Sequence, residues 1–164
     1  MRVRPGRHED LVAIGRVAGA GFWETYTGLL KPDTIGRMLA ADYSPSAVAR
    51  RLLRGGLVVA EEEAGITGFV DAVPAGEAFG VSAIATDPSR RRCGIGRALI
   101  GEVLRRHGAL PLSADVLLGN LDAEGFFERL GFVPGEIVQV SLFEEEVVER
   151  RWWCPSGEWE PGRG

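Results

Sequence analysis

Residues 86–100 read TDPSRRRCGIGRALI: a turn-forming Asp-Pro, four arginines, two glycines, then the start of an amphipathic segment. The chain around it is acidic, with a formal net charge of −4 over 164 residues. Four of its 19 Lys and Arg residues nonetheless gather at this one corner. Upstream, FGVSAIAT at 79–86 has the apolar content of a strand. Downstream, Ile95, Leu99, Ile100, Val103 and Leu104 fill about half of a helical wheel over 95–107, an arc suited to packing on a sheet. A strand that passes through a glycine-rich turn into a helix makes an anion trap. The first helical N–H groups have no internal partner, the dipole adds partial positive charge, and glycine lets the backbone approach closely. Arg91, Arg92 and Arg97 would add charge-assisted hydrogen bonds.

Working outward, the first third reads as helical. A short strand at VRP precedes a helix over 8–20 with Leu11, Ile14 and Ala18 in register. GFWETYTGLLKPD (21–33) reads as a loop or broken helix. Pro32 opens a short helix, and Ser44-Pro45 caps and starts another. GLVVAEEE and ITGFVDAV then read as a hairpin turning at Ala64-Gly65, with PAGEA as a polar connection to the strand before the arginine corner. After the 95–107 helix come the strand LSADVLL (112–118) and the helix of NLDAEGFFERLGF. Asn120 is its candidate cap, Gly131 its left-handed end, and Phe132 folds back on it. EIVQVSLF and EVVERRWW read as closing strands, with Trp152 and Trp153 fitting either a core strand or a homodimer surface. The fold expected is a mixed α/β domain over 1–154, followed by a flexible tail over 155–164.

Composition narrows the function. An acidic chain disfavours nucleic-acid binding, which needs a broad basic face. No apolar run approaches the ~20 residues that span a bilayer, and the start shows no apolar signal region. Cys93 and Cys154 make no disulfide framework, so the expected setting is cytoplasmic. No metal-ligand cluster is legible. The dinucleotide fingerprint fails because Leu99 stands at its third glycine, and the nucleotide P-loop spacing is absent.

The form Arg91-x-x-Gly94-x-Gly96 resembles the pyrophosphate loop of the GNAT superfamily of acyl-CoA-dependent N-acyltransferases. The likeness extends to Ile84-Ala85-Thr86-Asp87-Pro88 before the loop. It also takes in Asn120, Ala123, Phe126, Phe127, Gly131 and Phe132 after it, and Thr25 to Asp33 on the substrate side. It implies a central, mostly antiparallel twisted sheet with a splayed parallel strand pair, flanked by helices. It further implies that main-chain groups of Ile84, Ala85 and Thr86 hold the pantetheine arm of acetyl-CoA. Arg91, Arg92, Cys93, Gly94, Ile95, Gly96 and Arg97 would surround the pyrophosphate, a side chain at Gly96 intruding on it. Asn120 would touch the arm, and Ala123 and Phe127 would line the far wall.

The reaction implied is direct attack by a primary amine of a small molecule or peptide on the acetyl thioester, without a metal. Two positions depart from the family pattern. Gly80 stands where many members carry a glutamate base, and Phe127 where many carry a proton-donating tyrosine. Asp115, alone in an apolar strand and facing opposite to Ala114 and Val116, is the substitute base. Glu77 is a second candidate base, and Tyr26 a candidate donor to the sulfur or contact to substrate. Glu24 is a candidate for a cationic amine; His8 and His107 read as surface residues. Cys93 among arginines would favour thiolate, but no histidine lies near it in sequence to make it a nucleophile. Two rivals remain: a catalytically degenerate acyl-CoA sensor or interaction module, and a nucleotide-binding α/β protein.

Overall fold

The structure, a computed structural model, describes residues 1–155. The tail expected from 155 onward lies, apart from Pro155, outside the described residues. In chain order the elements are β1 (Arg2–Pro5), α1 (Leu11–Tyr26), α2 (Pro32–Tyr43), α3 (Pro45–Arg54), β2 (Leu57–Glu62), β3 (Gly65–Ala75) and β4 (Ala78–Thr86). They continue with α4 (Ile95–His107), β5 (Leu112–Leu117), α5 (Leu121–Arg129), β6 (Val133–Leu142) and β7 (Glu145–Cys154). The strands form one seven-stranded sheet in the order β1-β2-β3-β4-β5-β7-β6. Every pairing is antiparallel except β4 with β5.

The helices divide between the two faces by chain order. On one face α1, α2 and α3 bury Ile14, Val17, Phe22, Tyr43 and Val48 against Val59, Phe69 and Ala85. On the other, α4 and α5 bury Leu99, Ile100, Val103 and Phe127 against Val58, Val70, Ala114 and Val116. Strands covered on both sides read as continuous apolar runs, which is why Ile66 to Ala72 shows little alternation. Gly68 lets α4 lie close to β3: a Cβ there would come within 2.7 Å of Ile95.

Local signals set most boundaries. The Ala47 N–H donates to Ser44 Oγ, Pro45 occupies the first turn, and Gly55 (φ +86°) ends α3. The Ala123 N–H donates to Asn120 Oδ1 at the start of α5. Beyond α5, Gly131 (φ +87°) turns the chain and the Phe132 N–H returns to the Phe127 carbonyl at 3.0 Å. One expectation changes: residues 21–26 continue α1 instead of breaking it. Tertiary packing overrides the local glycine signal. A Cβ at Gly21 would sit 3.4 Å from the Thr86 carbonyl, so the glycine lets α1 approach the end of β4. Phe22 packs edge-on against Tyr43. Trp152 is a core residue of β7, buried in the α4–α5 layer, which settles its sequence alternative.

Candidate active site

The opening begins where the parallel pair stops. β4 and β5 pair only at Phe79↔Leu112, Gly80↔Ser113 and Val81↔Ala114. Beyond Val81, β4 stays on β3 as far as Gly68↔Thr86, and β5 stays on β7 as far as Leu117↔Glu149. Each strand keeps its outer neighbour and loses its inner one, so two main-chain edges face a gap. A bulge starts the divergence. Ala72 pairs with Val81 and Asp71 with Ala83, which leaves Ser82 as an extra residue in β4. Such a residue bends its strand and sharpens the twist.

The bulge is anchored from α3. Arg51 Nη1 donates to Ser82 Oγ at 3.3 Å and also to Asp71 Oδ2. Arg54 Nη2 donates to the same Asp71 oxygen at 2.6 Å. Asp71 is 0% exposed, so these arginines compensate a wholly buried carboxylate. Sequence reading passed over Asp71; the signal available was a lone acid inside the apolar run ITGFVDAV.

At the end of β4 the chain turns through Asp87, whose Oδ1 accepts from the Ser89 N–H and hydroxyl. It enters α4 through Arg92 (φ +60°) and Gly94 (φ +79°), both left-handed. Among the described residues no side chain caps α4; the Ala98 N–H to Gly94 carbonyl bond, at 3.0 Å, is the first of the helix. The N–H groups before Ala98 are left for a ligand or solvent. The arginines divide their work. Arg90 pairs with Glu62 at 2.6 Å, away from the mouth. Arg91 Nη2 donates to Thr25 Oγ1 at 3.0 Å and lies near Glu24 (3.6 Å) and Asp122 (3.9 Å), joining the ends of α1 and α5 to the loop. Among the described residues Arg92 and Arg97 carry no ion pair. Cys93 is exposed, 3.6 Å from the Arg91 carbonyl, and Ile95 is buried beneath the loop.

Divergent parallel strands beside an uncapped, arginine-flanked helix mouth are the geometry that the family resemblance implies. A family model for the acetyltransferase (GNAT) domain matches residues 47–134, more than half of the chain. The chain belongs to the GNAT acetyltransferase family. Solved GNAT structures share the fold over nearly the whole chain. A GCN5-related N-acetyltransferase from Rhodopseudomonas palustris is 19% identical with a TM-score of 0.79, covering 94% of each chain. The PaiA N-acetyltransferase from Thermoplasma acidophilum, solved with coenzyme A, is 17% identical with a TM-score of 0.76, covering 91% of this chain and 96% of its own. The ribosomal-protein-S18-alanine N-acetyltransferase from Escherichia coli is 17% identical with a TM-score of 0.72, covering 98% and 97%. No curated protein sequence matches significantly.

Within this GNAT domain the remaining expected residues fall unevenly. Gly96 lies in the first turn of α4 against α5: a Cβ there would meet the Phe126 ring at 3.0 Å, so the glycine allows close helix packing. Asn120 is engaged as the α5 cap through its oxygen, and Ala123 is half-buried. Phe127 is 3% exposed between Phe126 and Phe132, with nothing to donate. Gly80 leaves a small space bordered by Ala75 and Ser113 Oγ. Glu77 is exposed in the β3–β4 turn, at the paired end of β4 and five residues before the bulge. Asp115 faces opposite to Ala114 and Val116, as alternation requires, but its carboxylate is held bidentately by Arg151 at 2.7 and 3.0 Å. His107 is not simply a surface group: it stacks on Phe79 at 3.9 Å, and burial lowers its pKa. His8 is exposed.

Tyr26 ends α1 with its ring 5.7 Å from Phe22, at the junction with Leu29, Leu30 and Leu117. Burial raises its pKa, and the neighbouring Glu149 adds to the effect. Glu149 is half-buried on β7, opposite Leu117. Its carboxyl is also pushed above the ordinary value, first by burial and then by Asp115, against the pull of Arg151. Sequence reading passed over Glu149 because, within EVVERRWW, one acid among alternating charges gives no local signal. Among the described residues no group of His, Cys, Asp or Glu can hold a metal ion, and no helix is long and apolar enough to cross a membrane.

Proposed function

We propose that this GNAT protein transfers an acetyl group from acetyl-CoA to a primary amine of a small molecule or peptide, by direct attack. The observation that carries the reading is the unpaired inner edge of β4 beside the uncapped start of α4. An extended pantetheine arm can pair with such an edge as an added strand would. In this reading the main chain of Ile84, Ala85 and Thr86 receives the arm. The N–H groups from Arg92 to Arg97 receive the pyrophosphate, with Arg92 and Arg97 supplying charge. Arg91, already engaged with Thr25, braces the loop between α1 and α5.

The chain's own contribution is then positional and electrostatic. A main-chain N–H near the bulge would polarise the thioester carbonyl, and the cleft would hold amine and thioester in line. The acceptor would approach from the α1–α2 side, where Tyr26 lies. Phe127 supplies no proton, so the leaving sulfur would take its proton from Tyr26, the incoming amine or solvent. Asp115 could serve as base only by leaving Arg151, and Glu77 would have to reach the cleft from the β3–β4 turn. We place the domain at 1–154 and the protein in the cytoplasm.

Isothermal titration with coenzyme A, followed by thiol-release assays with acetyl-CoA and a panel of primary amines, tests the reading. Saturable binding with amine-dependent thiol release is expected. Binding of ATP or NAD in place of coenzyme A would remove it. The second reading, an acyl-CoA sensor, is favoured by Gly80 and Phe127. It predicts tight coenzyme A binding and no thiol release with any amine.

A further inference from the structure

The α1–α2 side of the opening carries one carboxylate that the family pattern does not call for and that forms no salt bridge among the described residues. Glu149 lies on β7, directly opposite Leu117, in the part of β5 that has already left β4. Alternation puts it on the face of Val147 and Leu117, which pack with Tyr26 and Leu29. This is the α1–α2 face, from which the acceptor enters in the reading above. Two other acids on the sheet's open face are engaged: Asp115 bidentately by Arg151, and Glu136 by Arg151 at 3.3 Å and by the Trp153 Nε1–H at 3.3 Å. Among the described residues Glu149 has no salt bridge. We propose that Glu149 binds the acceptor's ammonium group and takes its proton before the nitrogen attacks. This rests on the transferase reading above.

A protonated primary amine passes one proton to the Glu149 carboxylate and becomes neutral. Its lone pair forms the C–N bond at the thioester carbon, the C–S bond breaks, and the electron pair leaves on sulfur. The second nitrogen proton ends on sulfur, giving the free thiol, and Glu149 returns its proton to solvent. An alkylamine has a pKa of roughly 10 and an ordinary glutamate one of about 4.3, so the transfer is uphill. The groups facing Glu149 reduce that gap. Tyr26 from α1 and Leu117 from β5 desolvate it, Asp115 from β5 repels its negative charge, and Arg151 on β7 opposes them; Val138 lies across on β6.

The test compares wild type with Glu149→Gln and Glu149→Asp, using acetyl-CoA with benzylamine, spermidine and an alanine-terminated peptide as acceptors. 2,2,2-Trifluoroethylamine, which is largely neutral at pH 7, serves as control. Glu149→Gln should lower kcat/KM for the charged amines by about 10²-fold. It should also abolish the loss of rate as pH falls through the glutamate's raised pKa, and leave coenzyme A affinity unchanged. Glu149→Asp should keep that acid limb at a rate between the two. The penalty should shrink for trifluoroethylamine, which a merely structural role would not produce. Wild-type rates in Glu149→Gln across pH would overturn Glu149 and leave the transferase reading standing. Wild type that binds coenzyme A but acetylates none of these amines would overturn both.

Discussion

Two helices start at the open ends of β4 and β5, and they start differently. At α5 the Asn120 side chain accepts the Ala123 N–H, so the helix satisfies itself. At α4 the capping position is Gly94, which has no side chain to offer, and Arg92 and Arg97, without ion pairs among the described residues, stand beside it. Gly94 is also left-handed (φ +79°), a conformation that L side chains rarely adopt, so the backbone there favours glycine. The uncapped start of α4 suits the anion site proposed above, whereas the start of α5 is closed by its own side chain. The same division runs through the arginines: Arg90 and Arg91 hold protein groups, and Arg92 and Arg97 hold none among the described residues.

The comparison breaks most visibly if the free charges are removed. Arg92→Ala with Arg97→Ala should weaken coenzyme A binding about 10²-fold or more by calorimetry, each charged hydrogen bond being worth about 1.5–3 kcal/mol. Thermal stability should barely move. Gly96→Val should act on both helices at once, because its side chain would press on Phe126. A cost of about 1–3 kcal/mol in stability is expected. Adding Phe126→Ala should recover part of the loss in a denaturant melt, which a clash with ligand alone would not explain.

Exchanging the caps sharpens the comparison. Gly94→Asp places a carboxylate at the α4 mouth, and aspartate tolerates left-handed φ better than most residues. Coenzyme A affinity should fall at least about tenfold while stability stays within about 1 kcal/mol of wild type. Asn120→Ala should do the reverse, costing about 1 kcal/mol of stability and less than tenfold in affinity. The smallest effect concerns the far half of α4, where Arg105 and Arg106 hold the Glu102 carboxyl down to about 2. A lowered carboxylate pKa stabilises above the ordinary value and loses that contribution as pH falls toward the folded one. Glu102→Gln should therefore flatten the acid side of the stability curve between about pH 4.5 and 2, read by thermal melts.

Signals carried by neighbouring residues were legible before any fold was known. Ser44-Pro45, Asn120 and Gly131 mark helix ends through bonds that span three or four residues, so sequence alone exposes them. The Arg91-x-x-Gly94-x-Gly96 spacing likewise stands at the start of α4. The run at 21–26 misled because its glycine answers to Thr86, some 65 residues away, and not to its neighbours. The contact of Gly96 with Phe126 of α5, 30 residues away, was hidden for the same reason.

The sequence by itself determined the family, the helix ends and the corner where an anion can be met, since each is written in residues close enough to touch without a fold. The tertiary structure was needed to show that Asp115 belongs to Arg151, that Asp71 anchors the β4 bulge, and that Glu149 stands beside Tyr26 on the α1–α2 face. Those facts depend on strand register and on which side of the sheet each helix covers. A charge shows its chemistry only when its partners, drawn from distant parts of the chain, are in place.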